Sequence, residues 1–226
     1  MKKARKHAGF FARKGEKSDL TDHYYSPDPS AESRPSLWQD TLRGFSLTFK
    51  TDRGVFSKKR VDFGTRLLIE SFSADGPSGP ILDLGCGYGP IGLAVAKSFP
   101  DRIVHMVDVN RRALELAEEN ANINGCSNAL VYESDGFAGI SERSFAAILS
   151  NPPIRAGKKV VYPMFEKSFE HLADGGRLWI VIQKKQGAPS ALKKLEEIFA
   201  EVETVRREKG YYVFCAKKFD SVLRIC

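Results

Sequence analysis

Cysteine is scarce in this 226-residue chain and never paired at short spacing: Cys86, Cys126, Cys215 and Cys226 stand apart, with no CxxC. That spacing argues against a zinc ribbon or a secreted disulfide framework, and it points to a reducing compartment. Long hydrophobic runs are also missing. No apolar stretch approaches the roughly 18 residues of a membrane helix, and the longest are strand-sized. A cytoplasmic protein with no membrane partner and no metal is therefore expected. Basic charge is less general than its total implies. The net charge is +7, but residues 1–19 carry Lys2, Lys3, Arg5, Lys6, Arg13, Lys14 and Lys17 against Glu16 and Asp19, which leaves only +2 on the other 207 residues. A nearly neutral body gives no bulk argument for nucleic acid, so local placement must carry it.

What is present suits one ordinary domain with a short appendage, at about 150 residues per domain. A chain of this length buries roughly 70% of its unfolded surface without staples. Hydrophobic residues at 42% and aromatics at 11% are in the globular range. Residues 1–36 read as a flexible basic tail, broken by Pro27, Pro29 and Pro35 and too poor in apolar surface to offset its ordering entropy. No apolar stretch follows the basic start, so a signal peptide is not expected, whereas an organellar transit peptide stays open. Otherwise the tail is a solvated arm that adds attraction to a polyanion. Residues 37–218 form the expected body, and 219–226 a C-terminal tail.

In the body, Phe45-Ser-Leu-Thr-Phe49 alternates with the period of a half-buried strand. Asp62 can cap a helix whose apolar face includes Phe63, Leu67, Leu68 and Phe72. Strands follow at 81–84, 103–107, 129–132, 145–149 and 177–182. Helices fall at 91–99, at 111–123 with Asn110 as cap and Gly125 as stop, and at about 161–173 and 190–200. Two last strands, near 202–207 and 211–217, are joined by a short turn at Gly210. The alternation demands an α/β fold with a mostly parallel sheet covered on both faces, and the last pair must be an antiparallel hairpin on it. Ligands of such sheets bind at the carboxyl ends of the strands, near the reversal of strand order. The residues just after each strand should then be unusual.

They are. Asp83-Leu-Gly85-Cys86-Gly87-Tyr-Gly89 is a glycine-rich turn that lets the backbone approach a ligand at a helix N-terminus. Such a turn by itself also serves structure alone. Asp108, followed by Val109 and Asn110, stands 23 residues beyond Gly85, placed to accept hydrogen bonds from ribose hydroxyls. After the next strand, Asp135 could accept from an adenine amino group while Phe137 covers the ring, with Gly136 between them. A plain loop reads as well there. The segment after 145–149 decides the class. In Asn151-Pro152-Pro153-Ile154 the prolines fix the backbone, so carbonyls point in set directions. An Asn side-chain oxygen beside such a carbonyl makes two acceptors aimed at one point, which suits a planar amino group.

These residues resemble class I S-adenosylmethionine (SAM)-dependent methyltransferases that modify amino nitrogens. More closely, Gly54-Val-Phe56-Ser57 followed by Asp62-Phe-Gly64-Thr65 resembles the RsmC-like small-subunit (16S) rRNA guanine-N2 methyltransferases. The resemblance covers about residues 37–218. It implies a Rossmann-like, seven-stranded sheet and SAM as cofactor. Gly85, Gly87 and Gly89 would pass under the methionine part, Asp108 would hold the ribose hydroxyls, and Asp135 and Phe137 would bind adenine, with Asp83, Cys86, Val109 and Gly136 also among the cofactor-binding residues. Phe56 and Ser57 would close over the cofactor, and Asn151 with the Pro152 carbonyl would hold the target amine. Two departures stand out. Ile154 replaces a usually aromatic residue, and this chain has room for one methyltransferase-like half where the best-known members carry two.

Histidine is absent from the motif loop, as direct transfer from an activated sulfonium allows, because the proton can leave after the nitrogen becomes cationic. His7 and His23 lie in the tail, His105 in a strand and His171 late in a helix. Cys86 needs only to be small. Basic groups at Lys58, Lys59 and Arg60, at Arg155, Lys158 and Lys159, and at Lys184 and Lys185 all fall on the ligand edge, as a phosphate-tracking rim would. Ribosomal RNA or the small subunit is the expected partner, with a flipped base as substrate. Rival readings are methylation of adenine N6 or of a protein glutamine amide, and a catalytically idle SAM- or RNA-binding assembly factor. A nicotinamide dehydrogenase would share the glycine turn but has no use for Asn-Pro-Pro.

Overall fold

A computed structural model describes residues 35–52 and 60–219. The core is a seven-stranded sheet built from β3 (Ile81–Leu84), β4 (Val104–Asp108), β5 (Ala129–Glu133), β6 (Phe145–Ser150), β7 (Leu172–Gln183), β8 (Glu201–Glu208) and β9 (Tyr211–Lys217), in the order β5-β4-β3-β6-β7-β9-β8. Strands β3 to β7 run parallel, and β9 pairs antiparallel with both β7 and β8. Strand order reverses between β3 and β6. Every residue of these two strands is buried, as central strands covered on both faces require.

Side-chain alternation along β3 divides the core. Ile81 joins the layer under α1 (Phe63–Ser71), α2 (Pro90–Ser98) and α3 (Arg111–Ile123). Leu82 and Leu84 face the layer under α4 (Lys158–His171) and α5 (Ala188–Ile198). Helix starts follow local chemistry: the Asp62 side chain accepts from the Gly64 and Thr65 amides, Asn110 accepts from Ala113, and α2 opens on left-handed Gly89 with Pro90 in its first turn. The expected hairpin is present, its Lys209-Gly210 turn holding both residues at positive φ.

Three differences from the sequence reading have physical causes. First, Ser36–Leu42 forms a strand, β1, paired antiparallel with β2 (Phe45–Thr51) in a separate two-stranded sheet. Its sequence does not alternate cleanly, since Leu37 faces solvent while the side chain of Trp38 packs inward. Second, α4 begins three residues earlier than expected, at Lys158 after left-handed Gly157. Third, β7 begins at Leu172, because the Gly175-Gly176 bend is absorbed by a register shift against β6.

The β1–β2 hairpin is held to the body by side chains that imitate a strand. On α3, Asn120 Oδ1 accepts from the Lys50 amide at 2.6 Å, and its Nδ2 donates to the Lys50 carbonyl at 3.0 Å and the Tyr88 carbonyl at 2.9 Å. One turn later, Asn124 does the same for Thr48, at 2.9 and 2.7 Å. The spacing of four on a helix puts both amides on one face. Aromatic packing completes the joint: Tyr88, from the glycine turn, meets Phe49 and Trp38 edge-on at 5.6 and 6.1 Å. At the hairpin's other end, Arg43 donates to the Ile69 and Phe72 carbonyls that close α1.

Asn120 is itself fully buried, and Asn120→Ala strands the buried Tyr88 carbonyl together with the part-buried Lys50 amide and carbonyl, so a loss of about 2–4 kcal/mol is expected in urea unfolding. Asn124 is half-buried, and water can replace its amide, so Asn124→Ala should lose about 1 kcal/mol. Equal losses would mean that the clamp is not what holds the hairpin.

Candidate active site

The residues singled out after β3, β4, β5 and β6 gather at one carboxyl edge, because parallel pairing aligns those ends. Ser150 Oγ donates to the Leu84 carbonyl at 2.8 Å, so Asn151 leaves the sheet beside Gly85. The Gly85 and Cys86 amides both donate to the Val107 carbonyl at 2.9 Å, and Gly87 N donates to Asp108 Oδ2 at 2.8 Å. Gly85 and Gly87 are left-handed, with φ of 79° and 57°, and a Cβ on either would meet nothing within 4 Å among the described residues. Backbone there faces open space, as a cradle for a ligand must. Gly92 has the opposite reason to be glycine. Its Cβ would lie 2.5 Å from Met106 Cγ, so only glycine lets α2 lie this close to β4.

Asp83 sits under the cradle with 1% of its surface exposed. Its Oδ2 accepts from Gly92 N at 2.8 Å, and Oδ1 is buried with no hydrogen-bond partner among the described residues. Burial pushes its carboxyl up to about 7, against the Gly92 bond and with a smaller push from Asp108. Burial raises Asp108 as well, opposed by backbone N–H groups including those of Asn110 and Gly87. Both Asp108 oxygens already accept one of these bonds. Each keeps a lone pair for a hydroxyl donor. The Cys86 thiol is buried, and desolvation, then the charges of Asp83 and Asp108, hold it well above its ordinary pKa, so it stays neutral.

The loop after β6 is built as a tight turn. Pro153 has φ −74° and ψ 69°, and Ile154 N donates back to the Pro152 carbonyl at 2.8 Å, an inverse γ-turn. The Pro152 carbonyl, expected to face a target amine, thus spends one lone pair within its own loop and keeps the other. Ile154 is half-buried and packs on the α4–α5 side of the core. Asn151 Nδ2 donates to Thr65 Oγ1 at 3.0 Å, and among the described residues Oδ1 is left as an open acceptor.

After β5, Asp135 is exposed and Gly136 is left-handed. One face of Phe137 is already taken by His171, at 4.4 Å between ring centres. His171, late in α4 as expected, returns beneath this loop, which nothing in the sequence shows. Burial holds its imidazole below the usual pKa, and Nδ1 pairs with the Lys167 carbonyl. His105 pairs with the Tyr132 hydroxyl, away from the motif loop. Phe56, Ser57, Lys58 and Lys59 lie outside the described residues. Arg155, Lys158, Lys159, Lys184 and Lys185 are all exposed. The fold adds Lys209, since antiparallel β9 brings the β8–β9 turn to this edge, where Lys184 N donates to the Gly210 carbonyl at 2.7 Å.

A strand-order reversal, a glycine cradle and an Asn-Pro-Pro loop thus lie together at one carboxyl edge, where open α/β sheets bind their ligands. The family described as Methyltransferase small domain matches residues 46–215. The chain is 59% identical over 200 residues to the Bacillus subtilis protein YbxB, which covers 88% of this chain and all of that one. It is 32% identical to ribosomal RNA small subunit methyltransferase C of Vibrio parahaemolyticus, over 79% of this chain and 51% of that protein. In structure it is similar to the T. thermophilus 16S rRNA N2 G1207 methyltransferase (RsmC) in complex with AdoMet and guanosine, with TM-score 0.72 and 25% identity over 85% of this chain and 52% of that one. The chain belongs to the methyltransferase small-domain family, whose Rossmann-like fold is that of the class I enzymes with SAM as cofactor. It spans about half the length of these two rRNA methyltransferases. Among the described residues no helix is long and apolar enough to cross a membrane, and no group of three His, Cys, Asp or Glu side chains could hold a metal.

The pH dependence of stability tests the buried carboxyl. Its folded-state pKa, about 7, lies above the ordinary 3.8, so the native state holds the proton more tightly and stability falls as pH rises between those values. Asp83→Asn keeps an oxygen for the Gly92 amide without a buried charge. Its thermal midpoint at pH 8 should equal or exceed that of the wild type, and the drop between pH 5 and pH 8 should shrink. An undiminished drop would place the titration on another group.

Proposed function

We propose that this chain transfers a methyl group from SAM to the exocyclic N2 of a guanine in small-subunit ribosomal RNA, in the bacterial cytoplasm. The observation that carries the reading is the pair of acceptors, Asn151 Oδ1 and the Pro152 carbonyl, on a rigid turn beside the open glycine cradle. The orphaned Asp83 oxygen and the two open glycines fit the cofactor. In this reading Asp83, Gly85, Cys86, Gly87 and Gly89 line the methionine end, Asp108 and Val109 take the ribose, and Asp135, Gly136 and Phe137 take the adenine. Bound there, SAM supplies a methyl group on a sulfonium, already activated toward an amine nitrogen.

The chain's own part is positioning. Asn151 and Pro152 accept the two N–H groups of the amine and turn its lone pair toward the cofactor side. Pro153 holds that turn, and Ile154 gives the base apolar contact without stacking. No side chain of the loop is a strong base, so water takes the amine proton once the nitrogen is cationic. The likeness to small subunit methyltransferase C and to the guanosine-bound RsmC supports guanine N2 as the target. The rim supports RNA: none of Arg155, Lys158, Lys159, Lys184, Lys185 and Lys209 makes an ion pair with an acid among the described residues, which leaves them available to phosphates.

Product analysis tests the reading. Labelled SAM with protein-free small-subunit rRNA, or with assembling or mature subunits, should give N2-methylguanosine after digestion. Labelled N6-methyladenosine, a methylated protein amide, or SAM binding without any product would each replace it. Asn151→Ala should lower turnover about 100-fold or more while SAM affinity stays nearly intact; a matched loss of both would make Asn151 structural. Asp108→Ala should weaken SAM binding about 10-fold or more, read by calorimetry, and an unchanged Kd would remove its ribose role.

A further inference from the structure

Asp62-Phe63-Gly64-Thr65 forms the first turn of α1, and nothing in the chemistry above gives it a task. Its construction is demanding. The Asp62 carboxylate accepts from the Gly64 and Thr65 amides at 3.0 and 3.1 Å. A Cβ on Gly64 would lie 2.8 Å from Tyr211 Cε1, so glycine permits this close approach of α1 to β9. Phe63 stacks on the same tyrosine at 5.5 Å. Cap, close approach and stack together fix the next residue, Thr65, which is 4% exposed and accepts from Asn151 Nδ2 at 3.0 Å.

An asparagine amide has an acceptor end and a donor end of nearly the same shape, and a half-turn about its last bond exchanges them. An amine substrate needs the acceptor end, because the donor end would set N–H against N–H. We propose that Thr65 is the positioning residue that holds this orientation: a hydroxyl could also donate to Oδ1, but here the Thr65 oxygen accepts from Asn151 Nδ2, which leaves Oδ1 turned toward the amine. The inference rests on the amino-methylation reading of the Asn151 loop. Thr65 acts through Asn151 and not on the reacting atoms.

Two readouts test it on the full chain. In NMR of protein labelled with ¹⁵N at asparagine side chains, the Asn151 Nδ2 protons of wild type and Thr65→Ser should be alike in shift and exchange. In Thr65→Val, which keeps the shape but cannot accept, they should shift and exchange about tenfold faster. In turnover on small-subunit rRNA, Thr65→Val should lower kcat about five- to tenfold with KM for SAM and RNA unchanged, and Thr65→Ser should stay within about twofold of wild type. In an Asn151→Asp background Thr65→Val should cost less than about twofold, because a carboxylate presents oxygen at both ends. An Asn151 resonance indifferent to Thr65→Val would overturn the proposal, as would a loss of kcat equal in both backgrounds or as large in Thr65→Ser. If the wild type methylates no rRNA, the substrate reading falls, and the amide signature alone decides the latch.

Discussion

A single buried hydrogen bond, from the Gly92 amide to Asp83, ties the end of the central strand to the start of the helix that follows it. The chain between them must close a turn of eight residues, and it can do so only because α2 lies directly on Met106. That closeness leaves the glycine backbone standing free above the strand ends, with its amides bound to the ends of β4. Everything the site offers is arranged around this turn. Burial outweighs the one backbone bond of the carboxyl that makes it possible and pushes that group up to about 7.

The turn is braced from the other side by elements remote in sequence. Tyr88 projects from it into the aromatic joint of the β1–β2 hairpin, and Asn120 links the Tyr88 carbonyl to the hairpin edge. The hairpin thus supports the glycine turn, while α1 meets the Asn-Pro-Pro loop through the Thr65–Asn151 bond. Arg43 joins the two supports by bonding the hairpin turn to the end of α1. Both halves of the site therefore rest on the segment preceding the sheet, although nearly all the recognisable motifs come after it.

Much of this was legible in the sequence, where the signal is local. Asp62 and Asn110 act as caps because a short side chain can reach amides two or three residues on, and that relation is written in a few consecutive positions. The glycine turn, Asp108 and the Asn-Pro-Pro loop were visible because each follows a strand, and parallel pairing brings strand ends together whatever the details. β1 was missed because its inward and outward residues are chosen by the hairpin's packing and not by a clean alternation. Lys209 was missed as part of the rim because only the antiparallel return of β9 puts that turn at the ligand edge. The return of His171 beneath Phe137 has no sequence signal at all.

By itself the sequence determined the order of strands and helices from β2 onward, the caps at Asp62 and Asn110, and the residue types at each strand end, since these depend on period, turn chemistry and neighbours a few positions away. The tertiary structure alone decided which end of the Asn151 amide meets Thr65, that the Pro152 carbonyl accepts within its own loop, and that His171 covers Phe137. Those choices depend on partners 86 residues distant for Asn151 and on the full φ/ψ path of a turn for Pro152. Hydrogen bonds are directional over about 3 Å, and no pattern along the chain encodes a direction in space.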